Sequence, residues 1–412
     1  MHAVFRMVLT ISCLSVSSHV TATDLRDLIP GLYGGDGLTL PRGGGGGRGT
    51  GGGGGRGGSA CGQVPNHEAH FAVESAANIN QLNRNISAQV GIFPFSSISS
   101  AFSFSYDPGL GTFFKTTESL GPIFADRPRT VGKGKFNINL SYTTFKYDKF
   151  EGASLNNLTT AALHDADSLP PSDQLTCFEL DQVALKFDID IRTNILALAS
   201  TWGLTDDIDI GIMIPFVDVR VDVNSRAVLQ ISPNNPTPGE HRFGPENPED
   251  HKSGAARGLG DILLHAKYHW HKSDTHNVAA AMLIKTASGD EKNFLGTGDT
   301  TVRPYLVYAV SMGNFSPHLN LGYKFNLDNS GKSAIEYAAG FDYRGDSYTL
   351  ALDIIGTRQK AKGYGDNIVN GSVGIKWQPD KDYVVSANVL APLNDSGLRS
   401  NFVTTVALER SF

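Results

Sequence analysis

Charged side chains and histidines recur at every second position in three segments of this chain, and their types and spacing could support chemistry. Side chains two positions apart on a β-strand point to the same face, so each segment predicts one polar face. Such a face suits a wet interior, and we expect these residues to line a lumen. The members are Lys186, Asp188, Asp190, Arg192, Asp218, Arg220, Asp222, His265, Lys267 and His269.

Metal binding and catalysis are weaker interpretations of the same residues. His269 and His271 would stand roughly 7 Å apart at strand rise, and a metal between them would need a third ligand that the sequence does not supply. The chain has no Gly-x-Ser-x-Gly elbow and no His-Glu-x-x-His motif, although a serine on a strand face could still meet His265 or His318. We therefore predict no catalytic residue, no metal site and no cofactor.

Apolar residues between the charged positions favour strands. Every odd position of residues 183–195 except Thr193 is Val, Leu, Phe or Ile. The alternation slips by one between Phe216 and Val217, next to Pro215, and since proline removes a ladder donor we expect a bulge or kink there. An antiparallel sheet of a soluble protein would alternate in the same way, because one face packs on a core and the other meets water.

The lengths of the connections decide between these two interpretations. From the third candidate strand onward, short and long connections alternate without a break, as in outer-membrane barrels with tight periplasmic turns and longer outside loops. No run of eighteen apolar residues is available for a transmembrane helix. We predict an all-β, transmembrane antiparallel barrel of about 14 strands (12–16) over residues 97–412. The candidate strands lie near 97–106, 112–119, 134–147, 181–203, 207–231, 259–271, 277–288, 300–312, 315–326, 333–344, 347–358, 366–378, 382–392 and 398–412.

Aromatic residues beside the short turns predict one headgroup level of a membrane. Trp and Tyr favour the interface, where an apolar ring can keep a polar edge wet. Counting back in twos from Phe412 gives a mostly apolar face that resembles the C-terminal signal for barrel assembly, with Arg410 as a departure that could snorkel to water. The predicted girdle consists of Trp202, Trp270, Tyr343, Tyr348, Trp377, Tyr383 and Phe412.

The residues before the barrel predict export and a tethered plug. Residues 1–22 have the basic start, short apolar stretch and small-residue cleavage site of a secretory signal. Residues 23–67 include a glycine tract at 43–58 that should be a flexible tether. Near-helical apolar spacing within 68–96 predicts an amphipathic helix that plugs the lumen, lies across the periplasmic mouth, or hangs loosely outside.

Two cysteines, Cys61 and Cys177, follow the predicted cleavage site. An oxidising compartment permits a disulfide, but we expect Cys61 on the periplasmic side and Cys177 in an outside loop. They could pair only if the N-terminal segment threaded the lumen, so two unpaired thiols are expected.

Several stretches resemble a known family, and the resemblance covers roughly Phe104 to Phe412. The stretches are Gly258-Leu-Gly-Asp-Ile-Leu-Leu-His-Ala-Lys-Tyr268, Thr286-Ala-Ser-Gly-Asp290, Leu295-Gly-Thr-Gly-Asp-Thr300, Pro317-His-Leu-Asn-Leu-Gly-Tyr323, Leu120-Gly-Pro-Ile-Phe-Ala-Asp126 and Gly132-Lys-Gly-Lys-Phe136. In these stretches the chain resembles outer-membrane proteins associated with meta-pathway phenol degradation, which are distantly similar to the long-chain fatty-acid channels. That resemblance implies a membrane barrel that passes small hydrophobic or aromatic compounds.

The expected function is passive passage of a small apolar or aromatic solute across a Gram-negative outer membrane, with capture by outside loops 148–180 and 232–258. The expected partners are outer-membrane lipid, the solute, and the barrel assembly machinery through Phe412. The net charge of −6 gives no reason to expect nucleic acid. Two alternatives stay open: a structural or partner-binding barrel without transport, and an outer-membrane barrel hydrolase.

Overall fold

The computed structural model describes residues 24–32, 73–99, 101–102, 104–107, 112–115, 119–163, 182–230, 249–380 and 382–412. Twelve antiparallel strands, each paired with the next along the chain, close into a barrel when the last strand pairs with the first. The predicted all-β barrel is confirmed. Its strands are β1 Phe136–Tyr147, β2 Gln182–Gly203, β3 Ile208–Gln230, β4 Leu263–Lys272, β5 His276–Lys285, β6 Thr301–Val310, β7 Phe315–Asn326, β8 Ala334–Arg344, β9 Tyr348–Gln359, β10 Asn367–Asp380, β11 Tyr383–Pro392 and β12 Val403–Ser411.

Strand alternation gives the barrel wall an apolar outside and a polar inside. On β1, Leu140 and Tyr142 are exposed, whereas Ser141 and Thr143 are buried against the interior. Exposed Leu, Ile, Val and Phe side chains continue around the other strands. An apolar surface of this kind is typical of a barrel wall in contact with lipid, since large apolar patches are rare on soluble proteins.

The number of wall strands is twelve, at the lower end of the predicted range. The first two candidate strands are absent from the wall: Phe104–Asp107 and Thr112–Lys115 pair only with each other, as a separate hairpin. The wall therefore begins at Phe136, not at residue 97 as expected.

Beyond the barrel, β2 and β3 continue together into an extension at the long-loop end. A strand at Leu158–Leu163 pairs with β2, and a strand at Glu249–Leu259 pairs with β3. The pairing of β2 with β3 runs through Pro215 without a register shift. On the other edge of β3 the register changes by one residue at this point, because Met213 lies opposite Leu263 of β4 whereas Phe216 lies opposite Leu259. Pro215 lies opposite Ala197 as a regular pair.

Shorter elements complete the described part of the chain. The two-residue strands Lys149–Phe150, Ala153–Ser154 and Leu398–Arg399 form a small sheet at the long-loop end. The helical elements are α1, Val73–Val90, and 3-10 turns at Leu25–Asp27, Leu155–Asn157, Glu291–Asn293 and Ser330–Lys332. None of the helices in the described ranges has the length and apolar character needed to span a bilayer.

Helix α1 closes the barrel at the long-loop end, not the short-turn end. Ile86 and Val90 are buried in the same apolar cluster as Phe187 and Ile191 of β2. Its last turn is held by Gln89, whose Oε1 accepts a hydrogen bond from Leu398 N at 2.7 Å.

After α1 the chain enters the barrel, where residues 91–99 and 119–131 form what we call the lumen segment. Gly91 passes so close to Gly296 that a Cβ would strike the Gly296 carbonyl, which explains glycine at this entry point. At the short-turn end, Val131 N donates to Asp209 at 3.1 Å. The chain thus threads the barrel from one end to the other. The predicted signal peptide, the glycine tract, Cys61 and Cys177 lie outside the described residues.

Candidate functional site

A cavity of about 390 Å³ lies inside the barrel, between α1 and the lumen segment. This volume is within the usual range for small-molecule sites. One part of its lining is apolar and aromatic, and another part carries ion pairs. The apolar residues include Phe93, Phe95, Phe124, Phe145, Leu263, Leu283, Ile355, Leu390 and Val403.

The base of the cavity is a buried polar cluster that joins the lumen segment to the wall. The Asp126 carboxylate accepts hydrogen bonds from the hydroxyls of Tyr305 and Ser97. His265 Nε2 lies 2.9 Å from the Tyr305 hydroxyl and 3.3 Å from Asp126. Because these side chains are buried and bond to one another across the two parts of the chain, they fix the position of the lumen segment.

Lys267 forms a second polar contact with the lumen segment, nearer the short-turn end of the barrel. Its ammonium donates to Ser99 Oγ at 3.1 Å, to the Arg127 carbonyl at 3.2 Å and to the Arg129 carbonyl at 2.8 Å. Asp209 Oδ2 lies 3.6 Å away and supplies the counter-charge. An ammonium has three protons, and these three acceptors can use all of them.

The two histidines considered for catalysis have partners other than serine. His265 meets Tyr305 and Asp126, as described above. His318 Nε2 lies 2.7 Å from Asp353, and its Nδ1 lies 3.3 Å from Asp342. These contacts form a structural bridge between neighbouring strands.

The remaining histidines do not form a metal centre in the described ranges. His269 is buried and lies 3.1 Å from the Asn277 amide oxygen, and the register shifts between His269 and His271. The described part of the chain contains no group of three His, Cys, Asp or Glu side chains with metal-binding geometry.

The charged residues of β2 and β3 are not in the lumen, contrary to expectation. Arg192 is exposed on the same face of β2 as Trp202, which is the outer face, while Ile191 points inward and is buried. These positions lie above the lipid-facing part of both strands, where water is outside and the interior is filled by α1. Polar residues therefore face outward there, with ion pairs such as Arg257–Asp218 at 2.9 Å. The residues corrected in this way are Lys186, Asp188, Asp190, Arg192, Asp218, Arg220 and Asp222.

The predicted girdle residues lie at the short-turn end. Trp202, Trp270, Tyr343, Tyr348, Trp377 and Phe412 are exposed on the outer face, and Tyr383 is half-buried. The Arg410 guanidinium lies over the rings of Tyr383 and Phe412, 5.1 and 4.5 Å from their centroids. Cation–π interactions with these two rings stabilise the Arg410 charge among the aromatic residues.

The cavity has a charged lining that sequence analysis missed. Glu336 on β8 forms ion pairs with Arg303 of β6 and Lys324 of β7, at 2.8 and 2.7 Å. Lys285 on β5 meets Asp261 at 2.8 Å. Arg303, Lys324 and Glu336 alternate with outward-facing residues in their strands, and this alternation could have identified them as lumen residues from the sequence.

Several known proteins are similar to this chain. The family described as "Putative MetA-pathway of phenol degradation" matches residues 178–397. An outer-membrane channel from Pseudomonas putida is 13% identical, with a TM-score of 0.42, and the match covers 69% of this chain and 97% of that one. A mutant of the TodX monoaromatic hydrocarbon channel is 12% identical, with a TM-score of 0.36 and coverage of 69% and 93%.

A FadL homologue from Pseudomonas aeruginosa is 10% identical, with a TM-score of 0.31 and coverage of 68% and 89%. No curated protein matches this chain. The family match is the decisive one, because residues 178–397 are more than half of the 412-residue chain and run from the start of β2 past the end of β11. The chain therefore belongs to the family of the MetA-pathway of phenol degradation.

Proposed function

We propose that this protein is an outer-membrane channel through which small apolar or aromatic solutes pass by diffusion. The observation that carries the proposal is the cavity of about 390 Å³, in which Phe93, Phe95 and Phe124 of the lumen segment face wall residues such as Phe145 and Leu283. Aromatic and aliphatic side chains favour an apolar solute, since its transfer out of water is stabilising. The family's description in terms of phenol degradation agrees with an aromatic solute.

Passage requires the two parts of the chain that close the barrel, α1 and the lumen segment, to move one after the other. Above the cavity, α1 is held mainly by apolar contacts of Ile86 and Val90. Below it, the lumen segment is held by hydrogen bonds to Lys267, Asp209 and Tyr305. A closed barrel of this kind excludes a wide water-filled pore while leaving room for one small solute.

The outer surface supports the proposed location and partners. Leu321 and similar side chains would contact the outer-membrane lipid, and the aromatic residues at the short-turn end would set the depth of insertion. Phe412 pairs with Phe136 through Phe412 N to Phe136 O at 2.8 Å and by ring stacking, which closes the barrel. We propose that the assembly machinery recognises this last strand before closure. Capture of solute by loops 148–180 and 232–258 falls partly outside the described residues.

Two adjacent alanines on β8 provide a matched test. Ala338 is buried and lines the cavity, whereas Ala339 points outward. Ala338→Phe should fill the cavity at a stability cost of about 1–3 kcal/mol, and Ala339→Phe should add an apolar ring on the lipid side. We expect cells with the unmodified chain to take up the aromatic dye N-phenyl-1-naphthylamine faster than cells with an empty vector.

In this assay, Ala338→Phe should return dye uptake to the vector level, and Ala339→Phe should not. Equal amounts of folded barrel, shown by heat-dependent migration in gels, are required for the comparison. Equal uptake with both variants would reject passage through the cavity and would favour a structural or partner-binding barrel. Hydrolysis of an ester by the purified chain, lost in His265→Ala or His318→Ala, would favour the hydrolase instead.

A further inference from the structure

One cation of the cavity lining has no carboxylate partner among the described residues. Five Lys and Arg side chains line the cavity: Lys285, Arg303, Lys324, Lys332 and Arg399. The first four each meet an acidic side chain, including Lys332 with Asp299 at 2.7 Å. Arg399 forms no ion pair within 4 Å in the described part of the chain, and its nearby acid, Asp395, is exposed and faces Lys149 at 3.9 Å.

The Arg399 side chain is buried and held in place by neutral acceptors. It is 5% exposed, and Nη2 donates to the Val369 carbonyl at 2.8 Å and to Asn370 Oδ1 at 2.6 Å. Its Nε is buried and makes no hydrogen bond with the described residues. Burial lowers the pKa of the guanidinium, as expected where a charge loses water without gaining a counter-ion. Buried charges in proteins are normally paired, so we expect the Arg399 guanidinium to bind an anion.

The residues that share the cavity with Arg399 define the rest of the ligand. Phe145 and Tyr147 pack edge to face with centroids 5.2 Å apart, and Leu390 and Leu398 are buried beside them in the same lining. An apolar body would bury its surface against these side chains, while a planar anionic head group would match the free donors of a guanidinium.

We propose that Arg399 binds the carboxylate of an amphipathic solute, a monoacid with an aliphatic or aromatic body, inside the barrel. This rests on the proposed function and narrows its solute class. One guanidinium with part of its donors already used by Val369 and Asn370 fits a single negative charge. Arg399 would orient the acid with its head group near the long-loop end and its apolar body toward Phe145 and Leu390.

The test measures binding of octanoate, octan-1-ol and octylamine to the full chain in a neutral detergent by calorimetry. These ligands have the same chain length and differ in head-group charge. The unmodified protein should bind octanoate at least about 10-fold more tightly than octan-1-ol, and octylamine most weakly. Equal affinity for octanoate and octan-1-ol would overturn the proposal without any variant.

Variants then assign the preference to Arg399. Arg399→Gln should weaken octanoate binding by about 10- to 100-fold and change octan-1-ol binding less than about 2-fold. Arg220→Gln, on the exposed outer face of β3, should change neither. A similar loss for both ligands in Arg399→Gln, or unchanged octanoate binding, would overturn the proposal.

Failure of this inference is distinct from failure of the proposed function. If octan-1-ol binds and Ala338→Phe blocks dye uptake, but octanoate shows no dependence on Arg399, the channel function stands and the carboxylate site falls. If Ala338→Phe leaves dye uptake unchanged, the channel function itself fails.

Discussion

The Asp126 carboxylate lies 3.3 Å from His265 Nε2, and this contact joins the lumen segment to the barrel wall at the base of the cavity. The two residues are far apart in the chain, so the contact exists only because the barrel encloses the segment. Tyr305 completes the cluster through its hydroxyl. If a solute passes through the barrel as proposed, this cluster or its neighbours must rearrange to let it leave the cavity toward the short-turn end, and substitution of these residues tests that requirement.

Removal of the Lys267 ammonium should loosen the lumen segment. Lys267→Met leaves Asp209 and three acceptors without their donor, and breaking a buried ion pair typically costs about 3–5 kcal/mol. We expect higher single-channel conductance in planar bilayers and a lower denaturation temperature. Lys272→Met is the control on the same strand, because Lys272 is an exposed partner of Asp207, and it should cost less than about 1 kcal/mol. Unchanged conductance in Lys267→Met would show that the segment has other sufficient anchors.

Neutralising the outer-face arginines should leave conductance unchanged. Arg192 and Arg220 are exposed above the lipid-facing part of β2 and β3, outside the lumen. Arg192→Ala and Arg220→Ala should each alter stability by less than about 1 kcal/mol, as is usual for exposed ion pairs. Planar-bilayer recordings at two salt concentrations would reveal a change in ion selectivity, and such a change in both variants would contradict the outward placement.

A charge at Leu321 should hinder insertion. Leu321 is 52% exposed on the outer face near the middle of β7, where an arginine costs about 2–4 kcal/mol at the bilayer midplane. Leu321→Arg should therefore lower the free energy of unfolding in lipid vesicles by that amount. Leu327→Arg is the matched control, since Leu327 is exposed in the long loop after β7. Equal costs at both positions would be inconsistent with a membrane boundary between them.

Truncation of Ile86 should release α1 from the long-loop end. Ile86 is buried in the apolar cluster, and Ile→Ala in a core costs about 2–5 kcal/mol. In Ile86→Ala, amide hydrogen exchange over residues 79–90 should become faster, and dye uptake should rise. Arg84→Ala, on the exposed side of the helix, should leave both unchanged. Faster amide exchange without faster dye uptake would show that release of α1 does not limit the rate of uptake.

Much of the wall was predictable because strand geometry is local. A period of two follows from the backbone of a strand, and the alternation of short and long connections follows from antiparallel neighbours. These features located the eleven wall strands from residue 182 onward, together with the wall strand that begins at Phe136. The two earliest candidates failed because Phe104–Asp107 and Thr112–Lys115 alternate like wall strands but pair with each other.

What the sequence determined by itself is the existence of a barrel and the composition of its two faces. What only the tertiary structure decided is which face meets water at each height. In the membrane, lipid is outside, so Lys267 and Asp209 point inward, where the lumen segment supplies polar partners. Above it, water is outside and α1 fills the interior, so Ile191 points inward and Arg192 outward. The polarity of a single strand therefore reverses along its length, because the surroundings of each face depend on closure of the barrel and docking of the helix, neither of which is a local property of the strand.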